Sequence, residues 1–443
     1  MASAAEGAAS DRAEPPTRRA PYSTNPTVGL RGLRTQQRIL DAALQVLAEH
    51  GYDRTTLDKI AQRAGCSRVS IYQYFAGKDE LFRQLAGQVA RQMRASAESL
   101  DELTPDAAGR AALRAWVGRY TEIHTRYEPV FRAFGPATQS DDALAGGSER
   151  AGARNIAVFQ SKLATTAFPP RQLDPIVSLL LAGVTRTLDI AAILRAEHPD
   201  VYTRERVADS VADVAHRALF GLQPAVNDRP PAGPRVPRLA IGEHLGTVLE
   251  RADELELEAT RSDRRALASL LEVGREVVVR RGYQGVRVDD VVEAAGVSHG
   301  AFYRYFQNKD DLLQIVAVRA LRAVSTALAD APPAADRVGL RRWLRRYNAV
   351  HAQEGAVIRV WAEAVEDPMR SDRAAAFDWG RRRVARLMHG RTFGDVDVDA
   401  VVLLAVIEAF GSLPRDPVEV DAAIHVIEHG FAGAAVRPRP APA

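Results

Sequence analysis

The chain contains one short segment twice, and this internal repeat constrains the fold more than any other feature. The segment AGCSRVSIYQYFAGKDEL at residues 64–81 recurs as AGVSHGAFYRYFQNKDDL at residues 295–312, with an offset of 231 and no gap. Over residues 51–81, 12 of 31 positions are identical to their partners. Since 443 residues are too many for one ordinary domain, the repeat predicts two copies of one unit.

The repeat extends beyond this segment. At an offset of 227, LRAWVGRYTEIH at residues 113–124 pairs with LRRWLRRYNAVH at residues 340–351, and a weaker match relates residues 174–188 to 399–410. Apolar residues recur at helical spacing through both copies. The sequence therefore predicts an all-α chain in which two whole units of about 180 residues are fused.

The predicted domain boundaries follow composition. Residues 222–238 hold five prolines, which exclude a helix, and would span roughly 50 Å if extended at ~3.1 Å per residue. A helix is expected next, over Ile241–Leu257. The predicted organisation is a disordered tail (1–33), a first DNA-binding head (34–80), a first effector and dimerisation domain (81–221), the linker (222–261), a second head (262–311), a second effector domain (312–436) and a disordered tail (437–443).

Composition and motifs exclude several classes of protein. The formal net charge is only +3, so nucleic-acid binding has to be argued from local motifs. The single cysteine, Cys66, cannot form an internal disulfide, and the apolar runs are short for a membrane span, so we expect a cytoplasmic protein. No phosphate-binding loop, HExxH motif, Cys/His cluster or Ser-His-Asp signature is present, so we expect no enzyme, metal or cofactor.

The repeated segment reads as a helix-turn-helix motif. A helix ends at Gly51, Thr55 or Thr56 caps the next helix (57–64), Gly65 forms the turn, and Ser67 caps a third helix over 68–75. Gly77-Lys78 then opens a fourth helix. The second head repeats the pattern with helices 288–295 and 299–306 around Gly296 and Ser298.

In such a motif the third helix enters the major groove of DNA. Arg68 and Ser70 are expected at base edges in the first head, and His299 and Ala301 in the second. Arg68 suits guanine, whereas Ala301 suits only a thymine methyl, so the half-sites should differ. The full set of expected DNA contacts is Thr55, Thr56, Ser67, Arg68, Ser70, Tyr72, Gln73, Tyr74 and Lys78, with Arg287, Ser298, His299, Ala301, Tyr303, Arg304, Tyr305 and Lys309.

The pattern G-Y, T-T, I-A-x-x-A-G-x-S, Y-x-Y-F and K-D-x-L resembles the TetR family of bacterial transcriptional regulators. The resemblance implies all-helical units, each with an N-terminal DNA head and a C-terminal effector domain, paired through a four-helix bundle. It also implies that tyrosines and Lys78/Lys309 bind phosphates. The duplicated form looks like the double-TetR regulators of some high-GC bacteria, which control lipid- or steroid-related genes. Repression is the usual mode of the family.

The effector domains contain aromatic stripes with two interpretations. The stripes are typical of a core, but some members are candidates to line a cavity for an apolar, lipid-, acyl- or steroid-like effector, as the resemblance implies. The candidates are Trp116, Tyr120, His124, Tyr127 and Phe131 in the first unit and Trp343, Tyr347, His351 and Trp361 in the second.

The sequence leaves open how the chains assemble and whether both heads bind DNA. The fused units are expected to pair as an intrachain pseudo-dimer on an asymmetric operator, although a homodimer with four heads is an alternative. A second alternative is a vestigial second head used for protein interaction, because Val286-Arg287 replace the threonines. Arg18, Arg19, Arg31 and Arg34 suit either a minor-groove arm or a solvated tail. Cys66 suits a small hydrophobic residue or a redox sensor.

Overall fold

The computed structural model describes residues 30–139, 141–163, 170–223, 236–259, 265–363, 370–388, 394–413 and 416–432. Within these ranges the chain forms helices, and its only extended pairing is an isolated bridge between Leu103 and Leu163. The predicted all-α fold is therefore confirmed. Residues 1–29 and 437–443 of the predicted tails and most of the Pro-rich linker lie outside the described residues, as do Arg18 and Arg19.

Two units of eight helices correspond one to one. The first unit contains α1 (Leu30–Arg54), α2 (Leu57–Ala64), α3 (Arg68–Tyr72), α4 (Lys78–Glu98), α5 (Ala107–Gln139), α6 (Asp142–Ser161), α7 (Pro170–Arg195) and α8 (Arg204–Phe220). The linker contributes α9 (Glu243–Ala259). The second unit contains α10 (Arg265–Gly285), α11 (Val288–Ala295), α12 (His299–Tyr305), α13 (Lys309–Ala329), α14 (Arg337–Glu363), α15 (Arg370–Val384), a 3-10 turn (Ala385–Met388), α16 (Val396–Gly411), α17 (Pro417–His425) and a π-helical turn (Val426–Phe431).

Paired glycines shape the two heads. Gly51 and Gly282 have φ of 70° and 67°, and Gly65 and Gly296 have φ of 62° and 64°. This left-handed conformation favours glycine, and Gly65 and Gly296 close the turns before α3 and α12 as expected. The recognition helices end slightly earlier than predicted, at Tyr72 and Tyr305.

The start of α1 corrects one prediction. The helix begins at Leu30, so residues 30–33 are helical and do not belong to a disordered tail. Arg31 and Arg34 consequently lie on the exposed surface of α1. They are not part of an extended arm, as one of the two interpretations required.

The two units pair within one chain through a helical bundle. Helices α7 and α8 pack against α16, α17 and the π-helical turn, and one apolar core includes buried residues from both units. Gly183 in α7 permits the close crossing, because a Cβ there would lie 2.9 Å from Val406 Cγ2. The heads also approach each other, since α1 contacts α10.

A buried ion pair ties the units together. Arg217 in α8 and Asp399 in α16 are 0% and 1% exposed, with Nη2 and Oδ2 3.1 Å apart. Arg217 Nε donates to the carbonyl oxygen of Gly430 at 2.8 Å, and Ser210 contacts the other oxygen of Asp399. Asp174, the first-unit counterpart of Asp399, is exposed. The two units therefore contribute different residues to their interface at this position.

The linker is docked on the second unit. The backbone N–H groups of Leu239 and Gly242 donate to carboxylates of Asp378 and Asp372, at 3.0 and 2.9 Å. Helix α9 follows and buries an apolar face against α10 and α13. The buried residues of that face are Leu245, Val248, Ala252 and Leu255.

Two helices are apolar and long enough to cross a membrane by length and composition alone. They are Gln172–Arg195 within α7 and Lys309–Ala329 (α13), and 50% and 56% of their most apolar windows are buried inside the protein. Packing accounts for this composition, because α7 lies in the bundle between the units and α13 is covered by α9.

Candidate DNA-binding interface and effector cavity

Side-chain caps position both recognition helices. Ser67 Oγ accepts the backbone N–H of Ser70 at 3.1 Å, and Ser298 Oγ accepts that of Ala301 at 3.2 Å. The two serines fix the entry of α3 and α12 in the same way. Ile71, Phe75, Phe302 and Phe306 anchor the other face, because they are at most 1% exposed. These four residues belong to the head cores, as predicted.

The first residue of each recognition helix is exposed and held by an aspartate. Arg68 Nη1 lies 3.2 Å from Asp58 Oδ2, and Arg68 Nη2 donates to the hydroxyl oxygen of Tyr72 at 3.2 Å. His299 Nε2 lies 2.8 Å from Asp289 Oδ1. Sequence reasoning missed the two aspartates, although Asp58 and Asp289 are among the identical positions of the repeat.

Other expected contacts occupy different surroundings. Thr56, Gln73, Arg287, Tyr303 and Arg304 are exposed. Ser70 and Ala301 are partly exposed at the start of their helices. Between the expected base-reading positions of α3 lies Val69, 70% exposed, which sequence reasoning did not select. An exposed apolar side chain here suits contact with a thymine methyl.

Three expected contacts are buried in the heads. Thr55 is 4% exposed, and its hydroxyl donates to the carbonyl oxygen of Gly51 at 2.6 Å. Tyr74 and Tyr305 are 8% and 5% exposed. Tyr74 and Tyr305 pack in the apolar cores of the heads, so these three side chains offer little surface to DNA in this structure, and their contact with DNA stays a prediction.

The two threonines before α2 have different roles. Thr56 caps α2 by accepting the N–H of Lys59 at 3.3 Å, whereas Thr55 is structural. In the second head Val286 takes the buried position, with 1% exposure. Asp290 reaches back to the N–H of Arg287 at 3.2 Å and satisfies the start of α11. In the second head, Val286 thus fills the buried position of Thr55, and Asp290 caps the helix in place of Thr56.

Lys78 is partly buried between the head and α4. Its Nζ donates to the carbonyl oxygen of Tyr52 at 3.3 Å and lies 4.1 Å from the centre of the Tyr52 ring. Lys309 is similarly half-buried at the start of α13. Both ammonium groups lie where a helix N-terminus favours an anion.

Cys66 packs against the core of the first head and is half-buried. Burial raises the pKa of its thiol, which disfavours the reactive thiolate. The side chain thus has the environment of a small hydrophobic residue.

A narrow apolar cavity lies in the first effector domain. Its accessible volume is about 20 Å³, which is the space of roughly one water molecule. The wall comes from α5, α6, α7 and α8, and consists of Leu113, Trp116, Val117, Phe159, Val177, Leu180, Leu181, Val184, Val211, Ala215 and Leu219. Among the described candidates for effector binding, Trp116 alone belongs to this wall.

The remaining aromatic candidates have other roles. The Tyr120 hydroxyl lies 2.6 Å from Thr185 Oγ1, and burial raises the pKa of Tyr120 to about 12. Tyr127 accepts from Gln92 Nε2 at 2.8 Å, and Phe131 packs against the head core. None of these three side chains lines the narrow cavity described above, and their assignment to effector binding stays a prediction.

A chain of polar contacts runs from His124 in the first unit to Glu408 in the second. His124 Nε2 is 3.1 Å from Asp189 Oδ1, and Asp189 is 3.7 Å from Arg186. Arg186 Nε donates to Glu408 Oε2 of the second unit at 2.6 Å. The charge of Glu408 acts on His351, but burial dominates and lowers the pKa of that histidine. Neither histidine lines the narrow cavity described above, and their assignment to effector binding stays a prediction.

The second effector domain differs at the tryptophan. Trp343, the partner of Trp116, donates from Nε1 to the carbonyl oxygen of Ala327 at 2.7 Å. Trp116 Nε1 is buried without a hydrogen-bond partner. Leu344 stands where the first unit has the smaller Val117. Tyr347 is fully buried beside Trp343. The side chain of Trp361 lies outside the described residues.

Two capped helix-turn-helix heads on paired helical domains define a class, the two-headed helix-turn-helix DNA-binding proteins. Comparison with known proteins gives the family. The sequence profile of "Bacterial regulatory proteins, tetR family" matches residues 39–85 and again residues 270–316. The chain thus contains two TetR-type units in one polypeptide, each with a head that matches the tetR family.

Curated relatives agree with this assignment. An HTH-type transcriptional repressor of Mycobacterium tuberculosis is 33% identical over 119 residues, which are 26% of this chain and 63% of that protein. The HTH-type transcriptional repressor AcnR of Corynebacterium glutamicum is 33% identical over 103 residues, 22% of this chain and 55% of AcnR. The fatty acid metabolism regulator protein of Bacillus subtilis is 40% identical over 60 residues, 13% of this chain and 31% of that protein. The chain spans a little over half of the length of the first two relatives.

Proposed function

We propose that this chain is a cytoplasmic, non-enzymatic transcriptional repressor that binds an operator with two unequal half-sites. The observation that carries the proposal is the pairing of two different heads in one chain. Arg68, Val69 and Ser70 begin one recognition helix, whereas His299, Gly300 and Ala301 begin the other. A symmetric homodimer presents identical residues to both half-sites, and this pairing does not.

Fusion also removes the dimerisation step from DNA binding. The buried Arg217–Asp399 pair and the shared core join the units before DNA is met. The effective concentration of one head beside the other is then set by the chain itself. Operator occupancy should therefore follow a single-site curve at protein concentrations where homodimers dissociate.

The idea of a vestigial second head loses its main support. It rested on the loss of the threonine pair, but Thr55 is buried and Val286 fills the same position. The second head keeps an exposed Tyr303 and a capped recognition helix. Both features favour a second head that binds DNA.

Effector control belongs to the same proposal. The first-unit cavity has room for roughly one water molecule, so an apolar ligand must separate the helices that line it. Two of those helices, α7 and α8, also form the interface with the second unit. A ligand would thereby favour one arrangement of the units over another, which is the differential affinity that control requires.

Footprinting with the purified full-length chain on DNA upstream of its own gene tests the proposal. We expect one protected region with two dissimilar halves, and sedimentation should give one chain per operator. A protected palindrome bound by two chains would overturn the asymmetric reading. Substituting Tyr303→Phe and Lys309→Ala should weaken the second half-site and lower the salt slope by about one for the lost charge.

Effector control has its own test. Long-chain acyl and sterol-like compounds should raise the melting temperature of the protein and release the operator. Trp116→Phe removes the indole N–H and keeps the apolar bulk, so it should reduce the response to compounds that carry a carbonyl or hydroxyl group. Trp343→Phe is the matched control and should leave the response unchanged. If no compound shifts either quantity, the sensing part of the proposal fails.

A further inference from the structure

The same carboxylate holds the leading residue of both recognition helices, although that residue differs between the heads. Asp58 and Asp289 occupy equivalent positions in α2 and α11, at the repeat offset of 231. They pair with Arg68 and His299 respectively. The partner changed during divergence of the two units and the carboxylate stayed, so the contact is independent of the side chain it holds.

Fold stability does not explain these contacts. The side chains of Asp58 and Arg68 are 68% and 53% exposed, and those of Asp289 and His299 are 80% and 57% exposed. Exposed ion pairs contribute little to stability. An aspartate on the face that meets DNA also repels phosphate groups. A carboxylate retained there in both heads requires a role other than attraction to the DNA backbone.

In the first head the carboxylate orients a donor. Asp58 binds Nη1 of Arg68 and the Tyr72 hydroxyl binds Nη2, which fixes the plane of the guanidinium. The guanidinium has five N–H donors, so donors remain for a base edge. Arg68 is thus held before DNA arrives as a donor to the two acceptors of guanine, N7 and O6.

In the second head the carboxylate sets a tautomer. A carboxylate accepts hydrogen bonds, so Asp289 Oδ1 requires the proton of His299 on Nε2. In the neutral imidazole the other nitrogen, Nδ1, is then an acceptor. An acceptor in the major groove matches the amino group of adenine or cytosine and does not match guanine O6 or N7.

We infer that Asp58 and Asp289 are specificity-determining positioning residues, which give the two heads opposite hydrogen-bond polarity at their leading recognition position. The first head presents a donor and selects guanine, and the second presents an acceptor and selects adenine or cytosine. The inference rests on the proposed reading of base edges by both heads. It adds the base class that each head selects and the residue that enforces the choice.

The test is selection of DNA sites by the full-length chain, with one half-site held constant and the other randomised. At pH 8 the wild-type second half-site should exclude guanine at one position by about tenfold. Asp289→Ala frees the imidazole to present either nitrogen and should abolish that exclusion while affinity for the other positions is kept. Asp58→Ala should weaken the guanine preference of the first half-site in the same way.

Three further variants separate the possible outcomes. Glu49→Gln removes an exposed carboxylate from the first head. Glu49 pairs with Arg63 at 2.6 Å and does not contact α3, so this variant should leave site selection unchanged. Equal gains in affinity for all sequences in both Asp→Ala variants would overturn the inference, because the aspartates would then act only as charges near phosphate. If His299→Ala and Lys309→Ala also leave the second half-site unchanged, the second head does not read DNA and the proposed function fails instead.

Discussion

Arg251 of the linker helix donates a hydrogen bond from Nη2 to the carbonyl oxygen of Tyr305, 2.7 Å away. Tyr305 is the last residue of the second recognition helix. Farther along α9, Asp253 and Glu256 bind Arg322 of α13. The linker helix is therefore fastened both to the second head and to the helix that joins this head to its effector domain.

The first unit has a different surface at the equivalent place. Arg91 corresponds to Arg322, and it lies exposed beside a polar groove between α1, α4 and α5. Gln84 and Gly87 stand where the second unit has the buried Ile315 and Val318. Since α9 packs on the second unit, we expect the two heads to differ in how firmly they are held.

Loss of the α9 contacts should loosen the second head alone. In an Arg251→Ala/Arg322→Ala variant, backbone amides of α11 and α12 should exchange with deuterium roughly tenfold faster, since local opening becomes easier. Amides of α2 and α3 should be unaffected. Hydrogen exchange followed by mass spectrometry measures both heads in one sample.

Arg91→Ala supplies the matched control for this prediction. It removes the equivalent arginine from the unit that has no linker helix on it, and exchange in both heads should stay at the wild-type rate. Faster exchange in the first head of the Arg251/Arg322 variant would mean that α9 stabilises the whole molecule and has no particular effect on the second head.

Removing one member of the buried pair between the units should strongly destabilise the protein. Asp399→Ala leaves the guanidinium of Arg217 buried without its counter-ion, which typically costs about 3–5 kcal/mol. Urea unfolding followed by circular dichroism should show a lower midpoint. Replacing both partners, as Arg217→Met/Asp399→Leu, should restore most of the loss, since a buried apolar pair needs no charge compensation. A double variant as unstable as Asp399→Ala would contradict this explanation.

Mild acid should weaken the pairing of the units through His425. Burial lowers the pKa of His425 to about 4, and its Nε2 donates to the carbonyl oxygen of Ala218 in the other unit at 2.7 Å. Nearby His429 and Arg337 lower this pKa further. Above pH 6.5 the imidazole is neutral in both states. As pH falls towards 4 the unfolded chain binds a proton that the folded protein does not, so stability is lost, by about 2 kcal/mol at pH 5.

The measurement is the urea unfolding free energy at pH 7 and pH 5. His425→Gln keeps an N–H donor for Ala218 and cannot titrate, so the difference between the two pH values should shrink by roughly that amount. His299→Gln changes an exposed histidine of the second head and should not shrink it. An unchanged pH dependence in His425→Gln would exclude this histidine as its source.

The threonines before α2 should separate cleanly in function. Thr55→Val copies the buried Val286 of the second head and should change operator affinity by less than about twofold, since the hydroxyl points into the head. Thr56→Ala removes the cap of α2 and should cost about 1 kcal/mol of stability. Operator titration and thermal unfolding of both variants check this. A large loss of affinity in Thr55→Val would return Thr55 to the DNA surface.

The recognition helices show how far local sequence signals reach. Gly65, Ser67, Gly296 and Ser298 marked the turns and caps correctly, because these signals act within a few residues. Thr55 and Thr56 could not be told apart, since both suit a helix start and only packing buries one of them. Local signals likewise do not show that Tyr74 and Tyr305 are buried, because the side chains that cover them lie on other helices.

The effector domains depended more on tertiary packing. The stripe from Trp116 to Phe131 was read as one group, yet Trp116 lines a cavity, Tyr120 binds Thr185, and Phe131 packs against the head. A helix of this length passes several neighbours, so equal spacing in sequence does not give equal surroundings.

The sequence by itself determined the two-unit organisation, the helical class, the helix-turn-helix heads and the difference between the residues that begin their third helices. These follow from repetition, period and short-range capping, which are properties of neighbouring residues. Only the tertiary structure decided that Asp58 and Asp289 hold the reading side chains, that Arg217 meets Asp399, and that α9 covers the second unit. Such contacts join residues that are distant in sequence or lie on separate helices. They depend on the angles at which the helices cross and on which side chains each crossing buries.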